Sequence, residues 1–252
     1  MSAPRFPGSA RELPPFVLLH GGRHGGWCWR DVGRRLRDAG HEVYTPTLTG
    51  LGERSHLLRP DIGLHTHIQD LMAVFRFEEI RDAVVVAHSY GGMVVSGAME
   101  QIADRVRSLV FLDAHMPRTG ESVFDMIGAA LAETIAEMAE KEGQGWYIPP
   151  SDASWYGVSD PDAVAWVNSK TTAQPLKTYL DPVGPTGRAW AHPGTFIECQ
   201  PSTLLPHLLA RARERSAADE RFRYRVLDAP HDAMITAPAA LAELLFEALE
   251  VT

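Results

Sequence analysis

Five strand-type residues, Ala83-Val84-Val85-Val86-Ala87, run straight into His88-Ser89-Tyr90-Gly91-Gly92, and an apolar helical stretch from about Met93 to Ile102 follows. A short continuous apolar run of this kind reads as a strand buried on both faces. A doubly buried strand that leads directly into a helix belongs to a parallel sheet with right-handed helical crossovers. The turn between them also carries chemistry. Reversing from strand to helix within so few residues forces Ser89 into a strained backbone conformation and requires small residues two before and two after it. Such a turn lifts the serine Oγ above the carboxyl ends of the strands, where parallel sheets hold their ligands. It also aims a helix N-terminus at the same point, which favours developing negative charge. The second small residue is Gly91, while the first is Ala87 rather than glycine.

The same alternation extends along the chain. Phe16-Val17-Leu18-Leu19-His20 reads as a first buried strand ending at Gly21-Gly22, followed by a helix from about Trp27 to Asp38 that Gly40 stops. Glu42 to Thr47 reads as a second strand, and Thr66 is expected to cap a helix running to about Glu79 with Asp70 in its first turn. Val106 to Leu112 is the next buried strand. The pattern then lapses: Ser122 to Lys141 is expected to be helical, and Gly143 to Pro193 reads as an irregular stretch with four tryptophans. It resumes with a strand at Thr195 to Cys199, a helix at Leu204 to Ser216, a strand at Phe222 to Leu227 and a helix at Pro238 to Leu249. The expected organisation is an N-terminal arm over residues 1–15, an α/β core over 16–116 and 193–252, and a cap over 117–192.

A serine raised on such a turn needs a base. In sheets of this kind the base comes late, in a loop after the last strand. Among eleven histidines, His231 alone holds that position. The backbone N–H of Tyr90, next after the serine, is one expected oxyanion donor. His65, His67 and Asp70 superficially resemble metal ligands, but residues two apart on a helix face different ways, so no metal is expected there.

With these residues in place, the sequence resembles the α/β-hydrolase superfamily from about Phe16 to Leu249. Leu19-His20-Gly21-Gly22 with Gly26-Trp27-Cys28-Trp29 is similar to the plant methylesterase and hydroxynitrile lyase group and its bacterial esterase relatives. Leu48-Thr49-Gly50-Leu51-Gly52-Glu53-Arg54 and Pro230-His231-Asp232-Ala233-Met234 resemble the bacterial esterases in particular. Tyr90 departs from the lyases, which carry cysteine after the serine. The resemblance implies an α/β fold with a mostly parallel central sheet flanked by helices and a mainly helical cap inserted after the strand ending near Asp113. It also implies Gly22 N–H as the second oxyanion donor, with His20 bracing that loop.

The third member of the catalytic set stays open between two carboxylates. Its commonest place, after the strand at Thr195 to Cys199, reads Gln200-Pro201-Ser202-Thr203-Leu204, with no acid where a methylesterase would carry aspartate near Ser202. Asp113, after the strand Val106 to Leu112, resembles the acid of certain haloalkane dehalogenases and of zearalenone-type lactonases, and is the preferred candidate. Glu198 is the alternative. His24, His88, His115, Trp146 and Trp155 are expected to line the substrate pocket.

The expected activity is cofactor-independent cleavage of a carboxylic ester, lactone or carbamate of a small, largely apolar or aromatic substrate through an acyl-enzyme. The alternatives are a lyase, a C–C bond hydrolase or a biosynthetic cyclase using the same Ser/His/Asp set, and a binding module on the same fold. A formal net charge of −8 argues against nucleic acid or an anionic membrane as partner. The partners expected are a small-molecule substrate and, as an oligomer, a second copy in a homodimer. Cys28 and Cys199 make neither a metal motif nor a disulfide framework, and residues 1–15 hold no apolar signal segment, so a cytoplasmic setting is expected.

Overall fold

The computed structural model describes residues 13–251. Most of the expected N-terminal arm, residues 1–12, lies outside them. Eight strands are formed: β1 (Phe16–Leu19), β2 (Val43–Tyr44), β3 (Ala83–His88), β4 (Val106–Leu112), β5 (Tyr147–Ile148), β6 (Gln174–Pro175), β7 (Gly194–Cys199) and β8 (Phe222–Leu227). Eleven α-helices accompany them: α1 (Arg30–Asp38), α2 (Leu64–Phe77), α3 (Gly91–Ile102), α4 (Val123–Ile127), α5 (Ala129–Glu142), α6 (Pro161–Asn168), α7 (Lys177–Leu180), α8 (Gly187–Ala191), α9 (Pro206–Ala218), α10 (Ala233–Thr236) and α11 (Pro238–Glu247). Six strands form one sheet in the order β2-β1-β3-β4-β7-β8, every pair parallel.

Period-two alternation sorts the strand residues between two apolar layers. Val17, Leu19, Val85, Ala87, Leu109 and Phe111 join the core beneath α2 and α3. Phe16, Leu18, Val84, Val86, Val110 and Leu112 join the core beneath α1 and α11. All residues of β1 and β3 are buried, as their unbroken apolar runs demand. Fully burying one such Leu, Val or Phe contributes about 1.5–3 kcal/mol, so these two strands anchor the sheet.

Several local expectations are corrected. The second strand is only two residues long, because it sits at the sheet edge and has β1 as its one neighbour. Beyond it the chain peels away to meet the Gly26 turn, where Gly26 N–H donates to Thr47 Oγ1 (2.8 Å). Thr66 caps nothing. Helix α2 begins at Leu64, and its first N–H groups find the Asp181 carboxylate, which accepts from Leu64 N–H at 3.1 Å. Asp70 instead ties the preceding loop to α2, accepting from Thr49 N–H (2.7 Å) and Thr49 Oγ1 (2.8 Å). The stretch Ser122 to Lys141 is two helices, α4 and α5, broken at Gly128 with φ +78°. Ser122 and Asp125 form a reciprocal capping box on α4. The stretch Gly143 to Pro193 is more regular than expected: it holds α6, α7, α8 and the antiparallel pair β5–β6.

Strand order positions the site. β3 lies between β1 and β4, with β7 and β8 beyond β4. The loops that follow β1, β3, β4, β7 and β8 therefore open side by side on one edge of the sheet. The chain reverses its winding direction between β1 and β3, the place where open parallel sheets form their ligand crevice.

Candidate active site

Ser89 follows β3 with φ +51°, in the left-handed region that non-glycine residues rarely adopt. Two glycines make the turn fit. A Cβ on Gly91 would stand 2.8 Å from His20 O, and one on Gly92 would stand 2.0 Å from His115 O. The loops after β1 and β4 thus press directly on the turn. Ala87 is buried within β3 opposite Leu19 and Phe111, where its methyl group is accommodated.

The histidine and its carboxylate partner meet across the sheet edge. His231 Nδ1 lies 2.6 Å from Asp113 Oδ2, and Asp113 is fully buried. Asp113 itself has φ +42°, a second left-handed residue directly after a strand. The loop after β7, which lacks an acid, contributes two hydroxyls and an N–H instead. Ser202 Oγ donates to Asp113 Oδ1 (2.6 Å), Thr203 N–H points at Asp113 Oδ2 (3.4 Å), and Thr203 Oγ1 lies 2.9 Å from His231 Nδ1. With the carboxylate on Nδ1, the His231 Nε2 is the ring nitrogen left for a proton acceptor role. Glu198 is elsewhere engaged. It accepts from Arg213 Nη2 (2.6 Å), Gln200 Nε2 (3.3 Å) and the Tyr224 hydroxyl. Burial pushes its carboxyl up, but these donors together hold it below the usual carboxylate range. The geometry therefore pairs Asp113, not Glu198, with His231. Ser202 and Thr203 are the partners that the sequence did not disclose.

Two peptide groups, one in the loop after β1 and one in the turn at Ser89, are fixed through their carbonyls. In a trans peptide the carbonyl and the N–H point in opposite directions, so anchoring one aims the other. His20 Nδ1 donates to Gly21 O (2.7 Å), which fixes the peptide bearing Gly22 N–H. Leu48 N–H donates to His20 Nε2 (3.1 Å), so His20 is neutral, and burial lowers its pKa to about 3. Ser89 O accepts from Gly92 N–H and His115 N–H, both at 3.1 Å, which fixes the peptide bearing Tyr90 N–H. Among the described residues, neither Gly22 N–H nor Tyr90 N–H donates to a protein acceptor. The Tyr90 side chain faces the core, where its hydroxyl donates to neutral His67 Nδ1 (2.9 Å) while His67 Nε2 donates to Thr49 O (2.9 Å).

These groups open onto a cavity of roughly 970 Å³ including its mouth. Gly22, Arg23, Ser89, His115, Thr203 and His231 line its floor. Ser89 and His231 share this lining without a direct hydrogen bond, a gap of the kind that tightens when substrate is bound. One wall is the α5 face carrying Leu131, Thr134, Ile135 and Met138, whose i, i+3, i+4, i+7 spacing puts all four on one side of the helix. Leu204, Leu205 and Leu208 add to the apolar lining, and Trp155, Tyr156 and Tyr179 come from the segment between β4 and β7.

Of the expected pocket residues, His115 and Trp155 line the cavity, while His24, His88 and Trp146 do not. His24 and His88 are buried behind the floor. His24 Nδ1 donates to Gly22 O (2.8 Å) and Nε2 to Asp232 Oδ2 (3.0 Å). Burial opposes the charge on His24, but the adjacent Asp232 carboxylate outweighs it and raises the pKa. His88 Nε2 donates to His231 O (3.0 Å), and burial first, then the neighbouring histidines, keeps it neutral. Trp146 instead packs edge-on against Tyr147 (4.9 Å between centroids) at the β5–β6 pair. Sequence position alone does not separate a histidine facing a cavity from one facing the loop behind it.

Residues 16–244 match the model of a family described as the alpha/beta hydrolase family. The chain belongs to the alpha/beta hydrolase family. Within it, a carbendazim hydrolyzing esterase from Nocardioides sp. (strain SG-4G) is 41% identical over 175 residues, covering 67% of this chain and 72% of that protein. Methylesterase 10 of Arabidopsis thaliana is 26% identical over 254 residues, covering 94% and 92%. Among solved structures, an extracellular alpha/beta-hydrolase from a Paenibacillus species matches with a TM-score of 0.80 at 21% identity, covering 93% of this chain and 98% of that one. At that identity the structural likeness speaks for the alpha/beta hydrolase fold, and the sequence relatives are esterases by name.

The glycine loop yields a test of how tightly this alpha/beta hydrolase sets Ser89. A Cβ on Gly21 would stand 2.9 Å from both Ser89 Cβ and His88 Nδ1. Gly21→Ala is expected to displace the turn by a few tenths of an ångström and to lower kcat on the order of tenfold or more, because misplacements of about 1 Å cost about a hundredfold. Steady-state kinetics beside a thermal melt read this out. A Gly21→Ala enzyme with unchanged kcat would show that the contact relaxes without moving Ser89.

Proposed function

We propose that this chain is a serine hydrolase that cleaves a carboxylic ester, or a lactone or carbamate, of a small, largely apolar or aromatic substrate through an acyl-enzyme. The observation that carries the reading is buried Asp113 held 2.6 Å from His231, which lines the same cavity as Ser89 and Gly22. Esterases and methylesterases among the relatives support the acyl-transfer class.

In the proposed cycle His231 Nε2 takes the Ser89 Oγ proton as Oγ bonds to the scissile carbonyl carbon. The carbonyl oxygen becomes an oxyanion held by Gly22 and Tyr90 N–H, each such donor worth roughly 3–4 kcal/mol of barrier. The C–O bond to the leaving group then breaks, and His231 returns the proton to the departing alkoxide. Water, deprotonated by His231, attacks the acyl-Ser89 ester and releases the acid. Asp113 keeps the His231 ring oriented and stabilises the imidazolium formed in each half. Every role is filled by side chains and backbone of this chain and by water. Residues 117–192 act in this reading as a cap whose apolar walls hold the acyl or alcohol part.

The decisive experiment is covalent labelling. A fluorophosphonate is expected to add one equivalent to the wild type, located at Ser89 by peptide mass spectrometry, with parallel loss of p-nitrophenyl ester turnover. Ser89→Ala is expected to take no label and show no turnover. Label or turnover retained by Ser89→Ala would remove the nucleophile from this reading.

A further inference from the structure

Arg23 is a cation in the cavity without a counter-ion. It lies directly after the proposed oxyanion residue Gly22 and lines the same cavity as Ser89 and His231. Among the described residues no carboxylate forms an ion pair with it. Its one side-chain bond is a long one, from Nη1 to the Tyr156 hydroxyl at 3.4 Å. Its Nε is buried and has no acceptor. A guanidinium carries five donors, so most of its hydrogen-bonding capacity is unspent.

The backbone holds this side chain in place deliberately. Arg23 has φ +63°, a conformation costly for a residue with a Cβ. Both of its peptide groups are clamped from the inserted segment: Arg23 N–H donates to Gln174 Oε1 (3.0 Å), and Arg23 O accepts from Thr172 N–H (2.9 Å). A strained residue fixed from two sides, with an unsatisfied charged group turned to a ligand cavity, is the pattern of a preorganised binding group. Of the remaining walls, Ile127, Leu131, Ile135, Met138 and Leu208 offer no acceptor, and among the described residues the hydroxyls of Thr134, Ser151, Tyr179 and Thr203 take no hydrogen bond from it.

We infer that Arg23 is a specificity-determining residue that binds an anionic group, a carboxylate, carried on the acid part of the ester. This rests on the serine-hydrolase reading above and names the substrate class for it: an ester with an apolar or aromatic body and a carboxylate on the oxyanion side of the scissile carbonyl. Charge-assisted bonds to a planar carboxylate use the guanidinium fork in pairs, and the apolar surroundings strengthen them. A neutral ester leaves the charge buried and uncompensated, which is the costlier complex. The carbonyl of a neutral ester is already served by the two backbone donors and does not need Arg23.

The test compares the monomethyl esters of phthalate, isophthalate and terephthalate with methyl benzoate. These hold one aromatic body constant while directing a carboxylate three ways. Wild type, Arg23→Gln, Arg23→Lys and Ser89→Ala are assayed by methanol release, with the rates of the three serine-bearing enzymes normalised to sites titrated by a neutral fluorophosphonate and that of Ser89→Ala to folded protein concentration. The expected result is at least one anionic isomer cleaved with kcat/KM tenfold or more above methyl benzoate. That ratio falls at least tenfold in Arg23→Gln and is partly kept in Arg23→Lys, with the change carried mainly by KM. A wild type that treats all three anions no better than methyl benzoate overturns the inference, as does a ratio unmoved by Arg23→Gln. If Ser89→Ala still cleaves the esters, the serine-hydrolase reading fails and this inference falls with it. If Ser89→Ala is dead and the ratio is flat, only the assignment of Arg23 fails.

Discussion

Replacing Asp113 with asparagine is expected to lower kcat about 10⁴-fold, with little change in the folded structure, as loss of the orienting carboxylate does in serine hydrolases generally. The cause is the proton on the His231 ring. Asp113 Oδ2 accepts from His231 Nδ1 at 2.6 Å, which leaves Nε2 bare for the proton that the proposed cycle takes from Ser89. An asparagine amide at that place can turn its NH2 towards Nδ1. The ring then carries its proton on Nε2 and has no lone pair for the nucleophile. Ser202 Oγ, now 2.6 Å from Asp113 Oδ1, favours that orientation only weakly, because a hydroxyl can either donate or accept. The imidazolium formed during acyl transfer would also lose its counter-charge. Glu198→Gln serves as the control. Glu198 is held by Arg213, Gln200 and Tyr224, away from His231, so kcat is expected to stay within about threefold of wild type, the change of one hydrogen-bond partner there being a stability effect of about 1 kcal/mol. Steady-state kinetics on both variants decide the matter. An Asp113→Asn enzyme within tenfold of wild type, or a Glu198→Gln enzyme that loses most of its activity, would reassign the acid.

The two carboxylates also mark where sequence stops informing structure. β3, its turn and Ser89 were legible because one uninterrupted apolar run, a serine and two glycines have few other ways to fold. β4 and β8 run over Val106–Leu112 and Phe222–Leu227, the bounds expected of them. His231 was legible from its order after β8. The acid was harder, because its choice depends on which of two adjacent strand ends points at the histidine, and strand alternation does not fix the twist between them. The hydroxyls of Ser202 and Thr203 replace a carboxylate in the β7 loop, and nothing in their spacing signals that they reach Asp113. The setting of Arg23 is not legible in the sequence for a related reason. Its two backbone clamps, Gln174 and Thr172, stand about 150 residues away in a segment with no clear periodicity. Edge strand β2 came out shorter than its pattern, since one neighbour supports fewer ladder bonds than two. The same logic explains Thr66, whose capping role was taken by the distant Asp181.

Acid is expected to unfold this protein at a midpoint between about pH 4 and 6, a window that extends above the usual carboxylate values of about 4. Four buried histidines are kept neutral by the fold. Burial, partly offset by backbone contacts, lowers His20 to about 3, and His67 and His115 to about 4, and it takes His88 well below its ordinary 6.5. Each group has a folded pKa below its unfolded one, so the unfolded chain binds more protons as pH falls below 6.5. Stability is therefore fully present above pH 6.5 and is lost as pH falls towards the folded values. Each histidine removes about 1.4 kcal/mol per pH unit in that window, so four together remove roughly 5 kcal/mol per unit near pH 5. A domain in the lower half of the typical range of about 5–15 kcal/mol would not survive two such units. His24 has the opposite sign. Its pKa is raised by Asp232, so its contribution is complete below pH 6.5 and lost only as pH rises through the folded value, and it does not blunt the acid slope. Urea melts at pH 7, 6 and 5 measure the slope, and calorimetry in buffers of different ionisation enthalpy counts the protons. Between about three and four should be taken up on unfolding at pH 5. A stability that is flat from pH 6.5 to 4.5 would mean that these rings reach water or a carboxylate in the folded protein. The functional consequence follows from where the rings sit. His20 fixes the peptide of the Gly22 N–H, and His88 holds the carbonyl of His231, so the protons that unfold the domain enter at the supports of the proposed oxyanion loop and base.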